Sequence, residues 1–213
     1  MAASILVDGW KPVTENESFI CGVLEGSYLE RTTKEGLDHF YQTCRSLEKA
    51  GIQLKYLRAL DNFDSLENCH YKMCEAEFAV VHRNWFRKYT DLYSEDNRQA
   101  ILRGQQVNSN TLKRCRVQRE AFKKELLNIA EQHNLSAFLA PAATGPAPEG
   151  LESTGDCVMN LPWTLAGMPV VTLPSGFSKN GLPMGLQIVG PWMEDERLLD
   201  MAGHLAGHLE WPV

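Results

Sequence analysis

The chain has 213 residues, of which 44% are hydrophobic and 23% charged, and its formal net charge is −6. This size and composition are typical of a globular protein with a packed core. The acidic balance disfavours nucleic acid or an anionic membrane as a partner. No apolar run approaches the roughly 20 residues that cross a bilayer, and the opening residues MAASILVDGWKP are unlike a signal peptide. We therefore expect a cytoplasmic protein.

The six cysteines are scattered, and they form neither a Cys-x-x-Cys pair nor a Cys/His cluster at zinc-binding spacing. Cys69, His70 and Cys74 fall on one expected helix, but two half-buried thiols beside a surface histidine are the better interpretation. No Gly-x-Gly-x-x-Gly segment or phosphate-binding loop follows an expected strand. We therefore expect reduced thiols, no metal site and no cofactor.

The first part of the chain predicts a β-α-β unit. Residues 1–18 form an expected irregular lead-in, and the continuous apolar run Phe19–Leu24 is typical of a strand covered on both faces. A helix is expected from the N-cap residue Thr33 to about Ala50, because apolar residues recur there at helical spacing. Ile52–Leu60 then predicts a second strand, parallel to the first.

The middle of the chain predicts helices. A long helical region from Asp64 to about Tyr93 carries apolar residues on more than one face, so we expect it to be buried against a sheet and neighbouring helices. A second helix spans Glu95–Arg103 and ends at Gly104. A third runs over residues 109–133, with a strongly charged face that indicates contact with solvent.

A proline- and glycine-rich stretch follows a short expected strand and extends over residues 140–199. Within it, Val170–Leu173 and Met184–Val189 predict two strands, and Asn180-Gly181 between them favours a tight antiparallel turn. A last helix follows. Together these elements predict one α/β domain over residues 1–213, with a mixed sheet of about five or six strands flanked by helices.

Three motifs in this stretch resemble amidase-signature enzymes. They are Ser153-Thr154-Gly155-Asp156, then NLPWTLAGMP at residues 160–169, and then GLPMGLQIVG at residues 181–190. A further match, GVLEGSYLE at residues 22–30, lies upstream, and the resemblance is to the family's C-terminal half. It implies an α/β fold with a mixed sheet and a hydrolase that acts on carboxamide carbon–nitrogen bonds.

The resemblance implies that the catalytic residues are missing from this chain. Such enzymes use a serine nucleophile, a second serine and a lysine that moves protons, all in their N-terminal half. This chain contains no Gly-Gly-Ser-Ser segment and no Ser-Ser pair, so we expect it to hold no catalytic residue and to be inactive alone. Ser175-Gly176 is the nearest candidate for a nucleophile, but no lysine or histidine stands at a recognisable spacing from it.

Four residues match the mouth of the family's active site and receive a substrate-binding role from the resemblance: Thr154, Asp156, Asn160 and Trp163. Polar side chains and a carboxylate suit the orientation of an amide, and an indole supplies an apolar wall. The alternative is structural, with Asp156 as a helix cap, Asn160 in a turn and Trp163 in the core. His82 is a further candidate by resemblance, and a core or surface histidine is the competing interpretation.

Two functions stay open. The chain is either the C-terminal part of an amidase-type hydrolase, which takes a small amide once an N-terminal half completes it, or a non-catalytic amidase remnant that acts as a binding or interaction module. Half of a larger fold leaves edge strands uncovered, so we expect pairing with a complementary half or, as a homodimer, with a second copy. The expected contact elements are the strands Phe19–Leu24 and Met184–Val189 and the apolar helix around Phe78–Trp85.

Overall fold

The computed structural model describes residues 3–14 and 19–209. The chain divides into two compact units. The first consists of Met1–Asp61 with Glu125–Val213 and contains the sheet, whereas the second, Asn62–Lys124, is helical. The expectation of a single domain over the whole chain stays a prediction.

The N-terminal lead-in is less irregular than expected. One helical turn, α1 (Ala3–Leu6), lies where the prediction had no regular structure, and Ile5 and Leu6 on it are exposed. Residues 7–14 contain neither helix nor strand, as expected. Residues 1, 2 and 15–18, which belong to the same predicted lead-in, lie outside the described residues.

The first unit is built on a mixed sheet of five strands, which confirms the predicted fold class. The strands are β1 (Ile20–Glu25), β2 (Gln53–Arg58), β3 (Ala137–Pro141), β4 (Val170–Phe177) and β5 (Pro183–Val189). Their order is β2-β1-β3-β5-β4, with β1 parallel to β2 and β3, and with β5 antiparallel to β3 and β4. The parallel β-α-β unit and the antiparallel β4–β5 pair are both confirmed.

The burial of each strand follows its place in the sheet. All five residues of β3 and the four central residues of β1 are buried, which suits their continuous apolar sequences. The strands β2 and β4 form the two edges and are more exposed. The prediction that Phe19–Leu24 and Met184–Val189 are contact strands is wrong, because β1 and β5 each lie between two other strands.

The remaining helices are α2 (Lys34–Lys49), α3 (Phe63–Val81), α4 (Arg83–Tyr89), α5 (Glu95–Gln105), α6 (Ser109–Gln132), α7 (Leu161–Ala166) and α8 (Asp195–Ala206). Thr33 caps α2 as predicted, because its Oγ1 accepts the N–H of Gly36 at 3.1 Å. The buried face of α2, which includes Phe40, Cys44 and Leu47, packs against β2, β3 and β5. This packing fixes the first turn of α2 beside the sheet.

The long helical region of the second unit breaks at His82. The helix α3 ends at Val81, and α4 begins at Arg83. Val80, Val81 and Trp85 are all exposed, and α4 has no buried residue. The expectation that this part is buried on more than one face is therefore wrong.

Gly104 does not end α5, as was predicted, because the helix continues to Gln105. A Cβ at Gly104 would collide with the carbonyl oxygen of Glu75 and lie 3.0 Å from the Cβ of Ala79, both on α3. The glycine therefore allows α3 and α5 to approach closely. Beside this contact, the guanidinium of Arg103 donates to Glu75 at 2.7 Å.

Within the described ranges, no helix combines the length and apolarity needed to span a bilayer. The same ranges contain no group of three histidine, cysteine or acidic side chains arranged as metal ligands. All six cysteines are free thiols, and burial raises the pKa of Cys21 and Cys44 to about 12, so these two stay protonated at neutral pH.

Candidate active-site cavity

A cavity of about 480 Å³ opens at the end of the sheet where β3 finishes and β5 begins. Its walls come from the first turns of α2, the loop of residues 141–148, the Thr154–Asp156 loop, and the β4–β5 pair around Leu173 and Met184. All of these stretches belong to the sheet unit. The volume is in the range of small-molecule sites.

Two glycines bring the loop after β3 against the first turn of α2. The N–H of Thr33 donates to the carbonyl oxygen of Thr144 at 2.7 Å. A Cβ at Gly36 would collide with that same carbonyl group, and a Cβ at Gly145 would lie 2.5 Å from Thr33 Oγ1. Helix and loop therefore meet backbone to backbone, which fixes one wall of the cavity.

Gln187 on β5 holds the same loop from the sheet. It is fully buried, and its Nε2 donates to the carbonyl oxygens of Pro141 at 2.9 Å and Ala142 at 3.3 Å. Both of these residues line the cavity. The buried Oε1 has no hydrogen-bond partner. Our sequence reasoning missed this residue, although a lone amide in the apolar strand MGLQIV was a visible signal.

The Thr154–Asp156 loop both lines the cavity and caps the next helical turn. Asp156 Oδ1 accepts the N–H of Val158 at 2.8 Å, and Ser153 Oγ accepts the N–H of Gly155 at 3.1 Å. Thr154 and Asp156 both stand on the cavity wall. The capping interpretation of Asp156 is therefore correct, and it coexists with a position at which the carboxylate faces a bound molecule.

Asn160 and Trp163 lie behind this loop rather than on the lining. Asn160 is exposed just before α7, and its N–H donates to the carbonyl oxygen of Cys157 at 2.9 Å. Trp163 is 1% exposed, stacks on Phe138 at 5.9 Å between ring centroids and meets Tyr28 edge-on at 5.8 Å. This indole is a core side chain that supports the cavity from behind.

His82 belongs to the helical unit. Its Nδ1 lies 2.7 Å from the hydroxyl of Tyr93, and its ring lies against Phe78 and Trp85, with centroids 4.3 and 5.6 Å apart. The structure thus gives His82 a set of aromatic neighbours within its own unit. The cavity described above is lined by residues of the sheet unit.

Ser175 has a histidine partner, which corrects the expectation that it lacks one. The Nε2 of His39 on α2 lies 2.9 Å from the Oγ of Ser175 on β4. Burial lowers the pKa of His39 below its usual value, and the carboxylate of Glu35 partly opposes that shift. Because 136 positions separate the two residues, no sequence spacing could have revealed the contact.

The cavity combines a carboxylate and hydroxyl groups with apolar walls. Its polar side chains are those of His39, Thr144, Thr154, Asp156 and Thr172, and its apolar ones include Phe40, Leu173 and Met184. Such a lining orients a small amide through hydrogen bonds while the apolar groups exclude water. Of these polar residues, the sequence indicated Thr154 and Asp156.

The sequence matches the Amidase family over residues 13–199. Parts of it are similar to two curated proteins, each of them a glutamyl-tRNA(Gln) amidotransferase subunit. The one from Synechococcus sp. (strain RCC307) is 45% identical over 47 residues, which cover 22% of this chain and 10% of that protein. The one from Trichormus variabilis is 36% identical over 76 residues, which cover 32% and 16%.

The fold is similar to that of solved amidases. A crystal structure of an amidase superposes with a TM-score of 0.85 at 24% identity and covers 96% of this chain and 49% of its own. A fatty acid amide hydrolase superposes with a TM-score of 0.78 at 14% identity and covers 95% and 42%. At these identities the likeness shows the fold.

The sheet and its cavity define an α/β protein with a small-molecule site at one end of a mixed sheet. The family match covers most of the sequence, and the chain belongs to the Amidase family. It spans about half the length of the solved amidase with which it superposes.

Proposed function

We propose that this chain is the C-terminal part of an amidase-type hydrolase that acts on carboxamide carbon–nitrogen bonds. It supplies the sheet and one wall of the substrate pocket, and a separate polypeptide supplies the nucleophilic serine, the second serine and the lysine. The observation that carries the proposal is the cavity of about 480 Å³ with Thr154 and Asp156 on its wall, in a chain that spans half of an amidase.

In this proposal the two polar residues of the cavity loop contact the substrate. The carboxylate of Asp156 accepts an N–H of the amide, and Thr154 adds a hydroxyl that donates or accepts. Asn160 and Trp163 act indirectly, because they hold the segment that follows the loop. His82 takes no part in substrate binding here, since its imidazole and the hydroxyl of Tyr93 are hydrogen-bonded to each other.

The chemistry of amide cleavage requires what the complementary half brings. A serine hydroxyl needs a base to become nucleophilic, the leaving nitrogen needs a proton, and backbone N–H groups must stabilise the oxyanion. The amide nitrogen is a poor leaving group, so binding by this cavity alone does not cleave the bond. The chain on its own is therefore expected to release no ammonia from carboxamides.

The edge strand β4 is the surface on which we expect the complementary half to pair. Its sequence VVTLPSGF has no charged side chain, whereas the opposite edge strand β2 carries Lys55 and Arg58. Charged residues discourage strand pairing, and an uncharged edge invites it. Thr172 and Leu173 of β4 also line the cavity, so a strand added here would border the substrate pocket.

The test is complementation. The purified chain is mixed with a separately expressed amidase N-terminal half that carries the Gly/Ser-rich loop and the lysine, and ammonia release is measured over a panel of small carboxamides. We expect release from the mixture and none from either chain alone. Light scattering on the same samples reports whether the 24.0 kDa chain is alone, paired with the added half or paired with itself.

The non-catalytic remnant is the second candidate, and it predicts a different pattern. Without a catalytic role, the two chains form a stable complex that releases no ammonia from any carboxamide. That pattern, or a homodimer that excludes the added half, would contradict the proposed function.

A further inference from the structure

We propose that Ser175 and His39 form a nucleophile–base pair of their own, which takes an acyl group from activated carboxylic esters. The inference goes beyond the proposed function, because it requires no complementary half. The two side chains meet at 2.9 Å between Ser175 Oγ and His39 Nε2. Both line a second, smaller cavity of about 200 Å³ in the sheet unit.

The backbone at Ser175 is arranged so that the imidazole can reach its hydroxyl. The β4–β5 register shifts between Pro174 and Gly176, which leaves Ser175 as the extra residue of a bulge. A bulge of this kind turns a side chain away from the regular alternation of the strand. Gly176 has φ of +131°, and a Cβ there would lie 3.1 Å from His39 Cε1. The glycine thus leaves room for the ring beside the serine.

His39 has the properties of a general base. Burial lowers its pKa, so the imidazole is neutral at pH 7 and Nε2 can accept a proton. The carboxylate of Glu35, one helical turn earlier, favours the imidazolium once it forms. That carboxylate is held in place, because Glu35 Oε1 accepts the N–H of Lys179 at 2.8 Å. The other titratable groups that line the two cavities with His39 are Asp156 and His208.

The small cavity limits what the pair can accept. Its volume of about 200 Å³ lies below that of most small-molecule sites, so a short acyl group fits better than a long one. Phe177 gives it an apolar side, and Gln42 and Thr43 give it polar ones. Ser175 is 8% exposed, so the reaction takes place inside this cavity rather than on the open surface.

The acyl transfer is balanced within the pair and the ester. Ser175 Oγ attacks the ester carbonyl carbon and forms a new C–O bond, while His39 Nε2 takes the hydroxyl proton. The ester C–O bond breaks, and the leaving phenolate or alcohol accepts that proton from His39. Water then hydrolyses the acyl-serine to a carboxylic acid and restores Ser175. An activated ester leaves without prior protonation, whereas an amide does not, which reconciles this reaction with the absence of amide cleavage by the chain alone.

The experiment uses the whole chain without any added half and p-nitrophenyl acetate as the probe. Peptide mapping by mass spectrometry locates the acetyl group, and absorbance follows the release of p-nitrophenolate. We expect one acetyl group on the peptide that contains Ser175. His39→Gln should slow its formation by about 100-fold or more, the scale of general-base catalysis. In the intact chain the rate should rise with pH and level off below the ordinary histidine pKa of 6.5, since His39 has a lowered pKa.

The matched control is Ser46, which lines the same small cavity and is exposed. Ser46→Ala should leave the acetylation rate unchanged, whereas Ser175→Ala should abolish labelling of that peptide. Circular dichroism confirms that each variant is folded, and the mapping of the unaltered chain decides the question even if a variant is not. An unlabelled Ser175 peptide, or an acetyl group found on Ser46 or the lysines instead, would overturn the proposal. Either result leaves the complementation test of the proposed function intact.

Discussion

The cavity wall and the helical unit are built from opposite kinds of contact. At the wall, distant segments meet through backbone groups, as in the bond from Thr33 N–H to the Thr144 carbonyl. Over much of the helical unit, side chains meet across helix surfaces, as in the pair Arg103–Glu75. The difference teaches that the cavity depends on a few positions with little tolerance, while exposed positions on α3 and α4 accept change.

Two tryptophans offer the largest contrast between these regions. Trp163→Ala should lower the free energy of unfolding by about 3–5 kcal/mol, because it removes a buried indole from between Phe138 and Tyr28. Trp85→Ala should cost less than about 1 kcal/mol, since that side chain is 59% exposed. Urea titration measures both. Equal losses would show that the core assignment of Trp163 is mistaken.

Two glycines sharpen the comparison at the level of the backbone. Gly36→Ala should lower the free energy of unfolding by about 1–3 kcal/mol, because its methyl group has no room beside Thr144. Gly203→Ala is the matched control on α8, where nothing lies within 4 Å of the added Cβ. It should raise stability by about 0.5–1 kcal/mol through helix propensity. A neutral Gly36→Ala would mean that helix and loop do not meet as described.

Asp156 separates capping from substrate binding. Asp156→Ala removes the acceptor for the Val158 N–H and should cost about 1 kcal/mol. Asp156→Asn keeps an acceptor oxygen, so stability should change little, while amide turnover by the complemented enzyme should fall through loss of the carboxylate. Glu152→Gln, an exposed change nearby, is the control for charge alone. Unchanged turnover in Asp156→Asn would restrict this residue to capping.

The smallest effect concerns pH. Burial lowers the pKa of His39 in the sheet unit and of His70 in the helical unit below the ordinary value of 6.5. The unfolded chain therefore binds protons more readily than the folded chain, and stability should be full above pH 6.5 and decline as the pH falls through the lowered values. His39→Gln and His70→Gln should each weaken that decline. Urea midpoints above and below pH 6.5 provide the measurement, and a steeper decline in either variant would contradict the sign.

Much of the sheet unit could be predicted because its signals are local. The continuous apolar run before Leu24, the cap at Thr33 and the Asn180-Gly181 turn each predict the element that the structure contains. The edges of the sheet could not be predicted in this way, because strand order depends on pairings far apart in sequence. The exposure of Val80 was missed for a related reason: helical periodicity indicates an apolar face without showing what covers it.

The candidate site was predictable in part. Thr154 and Asp156 belong to a motif and do line the cavity, whereas Asn160 and Trp163 belong to motifs but lie behind it. His39 carried no signal at all, because it reaches Ser175 through the packing of α2 on the sheet. Motifs thus identify segments near a site, and packing decides which side chains face it.

The central claim is that this chain contributes a substrate wall to amide hydrolysis whose nucleophile comes from another polypeptide. The most direct measurement is ammonia release by the Ser175→Ala chain mixed with an amidase N-terminal half, because this background removes the serine with a histidine partner described above. The account predicts turnover equal to that of the unaltered mixture, and none when the nucleophilic serine of the added half is replaced by alanine. Ammonia release by the unaltered chain alone would contradict it.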